Sequence, residues 1–279
     1  MINLSRKITA VELTDVGMVR DHNEDAIGSM RDAGLYVLAD GMGGYNAGEV
    51  ASSIAVKTVI DLVEEACKRE DRADIENDTG FMRQTIVLRD AIARANKVIH
   101  QTASSHEGCK GMGTTIVACL FYDDKISIAH VGDSRLYRVR KGKLEQITMD
   151  HSLLQELVDR GFYTREEAER STNRNYVTRA LGVEPGVDVE IQEVPVEPQD
   201  IFLLCSDGLC DMVDDEEIHL TISTFSANLD TVGQQLIQLS NDHGGKDNVS
   251  VMIAQAIEPF PAKVGLLSKL NKLIGIGKN

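Results

Sequence analysis

Residues 114–148 read TTIVACLFYDDKISIAHVGDSRLYRVRKGKLEQIT, and this stretch decides the fold class. Strand-like runs at Thr114 to Phe121, Lys125 to Val131, Ser134 to Arg140 and Lys143 to Thr148 are separated by Asp123-Asp124, Gly132-Asp133 and Lys141-Gly142. Runs this short, joined by such turn pairs, predict an antiparallel meander. Outward from it, Leu35 to Ala39 is an apolar run ending at Asp40-Gly41, a buried strand entering a turn. Val187 to Val194, Asp200 to Cys205 and Val249 to Ala256 read as further strands. Ala47, Val50, Ala51, Ile54, Ala55 and Val59 form a helical stripe, and Leu88, Ile92, Ala95 and Ile99 a second one. Asp214 to Ser223 and Thr231 to Ser240 predict two more helices. Strands alternating with paired helices fit an α+β layered domain.

Residues 150–181 are polar, of helical propensity and rich in charge, including Arg165, Arg170, Arg174 and Arg179. They read as an insertion between strands of one domain spanning residues 1–258. The tail at 259–279 has Lys263, Lys269, Lys272 and Lys278 as its only charged side chains. A frayed or docked helix and a contact with an anionic membrane or a partner are both open readings of this basic tail.

The 279-residue chain carries 29 Lys plus Arg against 44 Asp plus Glu, a formal charge of −15. Such acidity argues against nucleic acid, whose recognition needs cations to displace counterions from phosphate. Six Tyr, six Phe and no Trp offer few platforms for stacking bases. The five cysteines, Cys67, Cys109, Cys119, Cys205 and Cys210, are odd in number and form no Cys-x-x-Cys pair. Free thiols in a reducing compartment are expected. With no signal-like N-terminus and no run near the ~18 apolar residues of a membrane span, the expectation is a cytoplasmic protein.

The placement of carboxylates carries the chemistry. Asp40, Asp133, Asp207 and Asp247 each lie where a predicted strand meets a turn, and Glu24 and Asp25 add two more. A lone Asp-Gly is an ordinary reverse turn. Several at the ends of buried strands are expected to converge at one edge. Converging carboxylates must take up protons or cations. An all-oxygen set suits Mg²⁺ or Mn²⁺ rather than Zn²⁺. No Gly-Lys-Ser/Thr loop and no Gly-x-Ser-x-Gly elbow is present, and Cys205, closing an apolar run, reads as a core residue. Arg20, close to Glu24 and Asp25 in sequence, is either their charge partner or a bidentate clamp for phosphate.

Seven motifs appear in order: Asp15-Val-Gly17, Arg20-Asp-His-Asn-Glu-Asp25, Asp40-Gly-Met-Gly-Gly44, Gly111-Met-Gly-Thr-Thr115, Val131-Gly-Asp-Ser-Arg135, Ser206-Asp-Gly208 and Lys246-Asp-Asn248. On these the sequence resembles the metal-dependent protein serine/threonine phosphatases of type 2C, in their compact bacterial form, over roughly residues 8–257. The resemblance implies a four-layer α-β-β-α sandwich, two antiparallel sheets flanked by helix pairs, with a binuclear metal site at one end. It implies Asp40 as a bridging ligand with the Gly41 carbonyl, Asp207 and Asp247 at a first ion, and Glu24 and Asp25 at a second. Asp133 with Asp207 matches a third, weaker site, and residues 150–181 match a flap. Where many relatives carry His after the Asp-Gly, this chain has Met42, so a proton for the leaving group comes from elsewhere.

The activity implied is hydrolysis of phosphoserine and phosphothreonine on proteins by a metal-activated water, with Arg20, Asp25 and Asp40 at the reacting centre. Phosphorylated proteins and a cognate bacterial serine/threonine kinase are the implied partners. A metal-binding module that has lost catalysis and a hydrolase of small phosphate esters are the alternatives.

Overall fold

A computed structural model describes residues 3–44, 47–68, 79–164, 167 and 176–261. In chain order its strands and helices are β1 (Ile8–Asp15), β2 (Asp25–Met30), β3 (Leu35–Met42), α1 (Ala47–Lys68), α2 (Arg83–Ser105), β4 (Gly113–Thr114), β5 (Ile116–Tyr122), β6 (Lys125–Val131), β7 (Arg135–Arg140), β8 (Lys143–Gln146), α3 (Leu153–Asp159), β9 (Glu190–Pro195), β10 (Ile201–Cys205), α4 (Asp207–Cys210), α5 (Asp215–Phe225), α6 (Leu229–Asp242) and β11 (Val249–Ala256). One sheet runs β1-β11-β10-β7-β8 and the other β2-β3-β5-β6-β9, with β4 on the end of β3. Every paired strand is antiparallel to its neighbour.

The period of two along the central strands explains the layering. In β3, Leu35, Val37 and Ala39 face α1 and α2, where they meet Ala55, Val59, Leu88 and Ile92. Tyr36 and Leu38 face the other sheet, against Phe202, Leu204 and Met252. In β10 the alternate residues Ile201, Leu203 and Cys205 pack on Ile218, Ile222, Val232 and Leu236 of α5 and α6. Three apolar interfaces thus separate four layers, helices–sheet–sheet–helices, as expected. Strands buried on both faces are apolar throughout, so β5 and β10 read as continuous runs. Asp214 and Asn228 cap α5 and α6 with their side-chain oxygens.

Several expectations need correction. The meander predicted over 114–148 is divided: β5 and β6 pair in one sheet, β7 and β8 in the other. Gly132-Asp133, expected to be a hairpin turn, carries the chain from one sheet to the other. Turn chemistry fixes a reversal, but which partner a strand then finds depends on the burial of its faces. β1 and β2 were not expected, because Thr, Glu, Asp and Ser interrupt their apolar pattern at half-exposed edges. The strand expected at 187–194 spans 190–195, and that expected at 143–148 ends at Gln146. The described part of the 150–181 insertion holds one short helix, α3. Residues 165–166 and 168–175 of that insertion, and the basic tail from residue 262 onward, lie outside the described residues.

Phe121 centres the inter-sheet layer, edge-to-face with Tyr36, Phe202 and Phe260 at centroid distances of 6.0, 5.4 and 6.2 Å. Phe121→Ala removes all three contacts and leaves a cavity that the two sheets cannot close. It is expected to destabilise the protein by about 3–5 kcal/mol, read by denaturant unfolding. A loss below ~1 kcal/mol would mean that the sheets are not held together there.

Candidate metal centre

The two sheets end together at one edge, and the carboxylates are carried there by different strands. β2 and β3 pair in a register that sets Asp25 directly beside Asp40. Asp207 opens α4 immediately after β10, and Asp247 lies just before β11, the strand beside β10. Gly208 makes that approach possible: a Cβ there would lie 2.0 Å from the Asn248 carbonyl oxygen. Asp133 sits in the link between β6 and β7 and is buried at 8% exposure.

Backbone clamps hold these side chains in place. The Asp40 carbonyl accepts from Thr114 Oγ1 at 2.7 Å and from the Thr115 N–H at 2.8 Å, and the Asp40 N–H donates to Thr115 Oγ1 at 3.2 Å. Asn248 joins the 16–24 loop to β11. Its Nδ2 donates to the carbonyls of Val16 and His22 at 2.9 and 3.0 Å, and its Oδ1 accepts from the Glu24 N–H at 2.8 Å. Asp25 Oδ2 accepts from Ser206 Oγ at 2.8 Å and Ser250 Oγ at 2.6 Å.

What remains is a set of oxygens without partners. Glu24 Oε1, Asp25 Oδ1 and Asp207 Oδ1 are closed off from solvent and receive no hydrogen bond. Desolvation raises the carboxyls of Asp40 and Asp207 well above their ordinary range, reinforced by repulsion from neighbouring carboxylates. Asp25 is raised to about 6, by desolvation against the lowering effect of its two serines. Asp133 is raised to about 6 by desolvation and by Asp150. Buried anionic oxygens left unpaired are costly, and protons or cations relieve that cost. The donors are all oxygen, which fits Mg²⁺ or Mn²⁺. The residues present therefore fit the divalent ions that the sequence implies.

Arg20 is half exposed at the rim and donates through Nη2 to Asp247 Oδ2 at 2.5 Å. Its ion-pair partner is thus Asp247, not Glu24 or Asp25 as sequence proximity suggested; the contact spans 227 residues of chain. Met42 closes β3 opposite Gly113. Cys205 is fully buried in the core, as expected. Asp40 stands against both Asp25 and Asp207, and Asp133 and Asp247 lie close enough to perturb Asp207. Sequence reasoning assigned no role to Thr115, Ser206, Ser250 or Asn248. Ser250 carried a signal: a small polar residue within the apolar run 249–254, which the structure buries throughout. His22 was also missed; its Nε2 stands 3.6 Å from Glu24 Oε1.

Comparison with known proteins places these features in a wider set. A family model described as Protein phosphatase 2C matches residues 19–242. The serine/threonine phosphatase stp of Listeria monocytogenes is 38% identical over 248 residues, covering 87% of this chain and 93% of that protein. The serine/threonine phosphatase PstP/Ppp of Mycobacterium tuberculosis superposes with a TM-score of 0.79 at 35% identity, covering 90% of this chain and all of that one. A second structure, the PstP catalytic domain in complex with two manganese ions, gives a TM-score of 0.76 at 34% identity, covering 90% and 99%.

Raised carboxyl pKa values have a signed consequence. Groups whose folded pKa lies near 6 instead of 3.8 bind extra protons when folded, so they disfavour the cation-free fold as pH rises through that window. An entering cation must displace the protons of Asp25 and Asp133 below about pH 6 and meets those two groups as bare carboxylates above it. The Mn²⁺-induced rise in Tm is therefore expected to be large at about pH 7.5 and small near pH 5, with affinity falling about tenfold per pH unit for each proton displaced. Calorimetric melting with and without Mn²⁺ at both pH values checks this. An equal shift at both would mean that the cluster does not hold the ion.

Proposed function

The chain belongs to the protein phosphatase 2C family and is a protein serine/threonine phosphatase, and from that premise we propose that the edge where β3, β10 and β11 meet is its active centre. The observation that carries this reading is the convergence of Asp25, Asp40 and Asp207, from separate strands, with Asp25 Oδ1 and Asp207 Oδ1 left unpartnered. Residues 1–258 form one phosphatase domain in this reading. Asp207 and Asp247 would hold a first divalent ion and Glu24 and Asp25 a second, with Asp40 and the Gly41 carbonyl as further ligands. Asp133 and Asp207 would hold a third, weaker one. Mn²⁺ and Mg²⁺ both satisfy such an oxygen set. Divalent ions in the centre supply Lewis acidity, which counters phosphoryl charge and lowers the pKa of water.

The side chains divide the remaining work. Arg20 is held by one nitrogen on Asp247, which leaves other guanidinium N–H groups at the rim to bind equatorial phosphoryl oxygens. That contact orients the phosphorus toward the carboxylate edge. Asp25 would serve the second ion through Oδ1, as a direct ligand or by holding its water in place. Ser206 and Ser250 fix its Oδ2 so that Oδ1 alone is available. Asp40 is fixed by Thr114 and Thr115. With Met42 after the Asp-Gly pair, the leaving oxygen takes its proton from water rather than from a side chain at that position. No nucleophilic residue takes part, so no phosphoenzyme forms.

Phosphoserine and phosphothreonine on proteins are the substrates in this reading, and the enzyme counteracts a bacterial serine/threonine kinase that makes them. No described helix is long and apolar enough to cross a membrane. Among the described residues the cysteines form no disulfide, which suits a reducing compartment such as the cytoplasm.

The test uses a phosphothreonine peptide, with a nucleotide as comparison substrate. Activity on the peptide should vanish on chelation and return with Mn²⁺ or Mg²⁺. Asp207→Asn should cost at least about a hundredfold in kcat with a native circular dichroism spectrum. Arg20→Ala should mainly raise KM for the peptide, with a smaller loss in kcat. Undiminished turnover in chelator would overturn the metal-dependent reading, and preference for the nucleotide would overturn the substrate class.

A further inference from the structure

Apart from the carboxylate cluster, the described residues contain a close group of ligand-type side chains, His130, His151 and Glu190, whose ligand atoms lie within 4.8 Å of one another. Their hydrogen bonds leave no place for a shared cation. His151 Nδ1 accepts from the Gly132 N–H at 3.0 Å, so in the neutral ring the hydrogen is on Nε2, which donates to Glu190 Oε2 at 3.1 Å. No lone pair on that ring is left for a metal. The His130 and His151 rings are stacked, with centroids 4.7 Å apart and planes 15° from parallel. Imidazole lone pairs lie in the ring plane, so stacked rings do not converge on one ion. His130 Nε2 is 2.8 Å from the Met149 carbonyl and donates to it.

The group instead grips a turn. The backbone N–H of His151 donates to the Gly132 carbonyl at 2.9 Å. With Nδ1 receiving the Gly132 N–H, His151 satisfies both backbone polar groups of that residue. Gly132 has φ +110°, and a Cβ there would lie 2.6 Å from Thr115 Cβ, so the turn is tight against the Asp40 clamp. Asp133 comes next. Beyond it, Ser134 Oγ bonds Thr115 Oγ1 at 2.7 Å, and Arg135 holds the Asp150 carboxylate through Nε at 3.0 Å and Nη2 at 2.7 Å. Asp150 and His151, at the start of the inserted segment, therefore hold the turn on both sides of Asp133. Arg179 Nη1 lies 3.2 Å from His151 Nε2 and donates to the Asp188 carbonyl at 3.3 Å. Burial, and then His130, hold His151 below the ordinary imidazole range, in the neutral form that can accept from Gly132.

We propose that His151 is a positioning residue: by clamping Gly132 it fixes Asp133, and so sets the affinity of the weakest divalent ion while leaving the two tighter ions unaffected. This rests on the reading that Asp133 and Asp207 hold that third ion. Partners that orient a metal ligand are worth about 10–100-fold in affinity when removed.

The experiment is a calorimetric Mn²⁺ titration of wild type, Asp133→Ala, His151→Asn and His151→Gln, each with a thermal melt. Asn places an oxygen where Nδ1 stands and can accept from Gly132; Gln reaches toward Glu190 instead and leaves Gly132 without an acceptor. Wild type should bind a third ion that Asp133→Ala loses. His151→Gln should weaken that ion alone by about tenfold or more, and His151→Asn should restore it. Unchanged affinity in His151→Gln, equal weakening of all ions, or equal weakening in Asn and Gln would overturn the inference. If His151→Gln does not fold, Glu190→Ala, at a half-exposed side chain, replaces it, and unchanged third-ion affinity there would overturn the inference equally. Only two ions in wild type would overturn the third-ion reading itself, and this inference with it.

Discussion

Repulsion of the Asp40 carboxylate by Asp25 and Asp207 is the constraint around which this molecule is arranged. Asp40 is wedged between Asp25 and Asp207, each partly buried, and the three cannot all be charged without cations. Left to itself, such a group would spread apart or take on protons. It stays together because each member is fastened to a different strand whose other residues are committed to an apolar layer. The stability of the sandwich opposes the repulsion of the site, and a bound cation would relieve it.

The fastening explains why the fold needs two sheets. A single sheet could set Asp25 beside Asp40 by register, but Asp207 and Asp247 come from the second sheet. Only face-to-face packing brings the ends of both to one edge. Phe121, Phe202, Leu204 and Met252 fill the space between the sheets. The helix pairs cover the outer faces and make the central strands buried on both sides. A strand so held has little freedom at its end, which is what a ligand set requires.

Small polar residues then finish what packing begins. Asn248 draws the 16–24 loop onto β11, which brings Glu24 and Arg20 to the same edge. Ser206 and Ser250 take one oxygen of Asp25 and leave the other open. Thr115 ties the Asp40 strand to the Gly132–Arg135 link, the crossing between sheets. None of these side chains is charged, yet each decides where a charge points.

The sequence by itself determined the classes of structure and chemistry. The mainly apolar runs at 35–39, 114–121, 201–205 and 249–256 specified central strands, since a strand buried on both faces keeps few polar positions. The helical stripes at 47–59 and 88–99 specified covering helices. Ordered carboxylates at strand ends pointed to an oxygen-ligand metal site, and the structure gathers Asp25, Asp40 and Asp207 at one edge. Edge strands β1 and β2 were not legible, because half-exposed strands lose the apolar signal. The sorting of β5–β6 and β7–β8 into different sheets was decided by tertiary structure alone, because hairpin turns encode pairing between neighbours and not the layer a hairpin joins. The same holds for Arg20 with Asp247, Asn248 with Glu24, and His151 with Gly132. These contacts join residues far apart in the chain or across a crossover, and their geometry exists only once the two sheets have closed on each other.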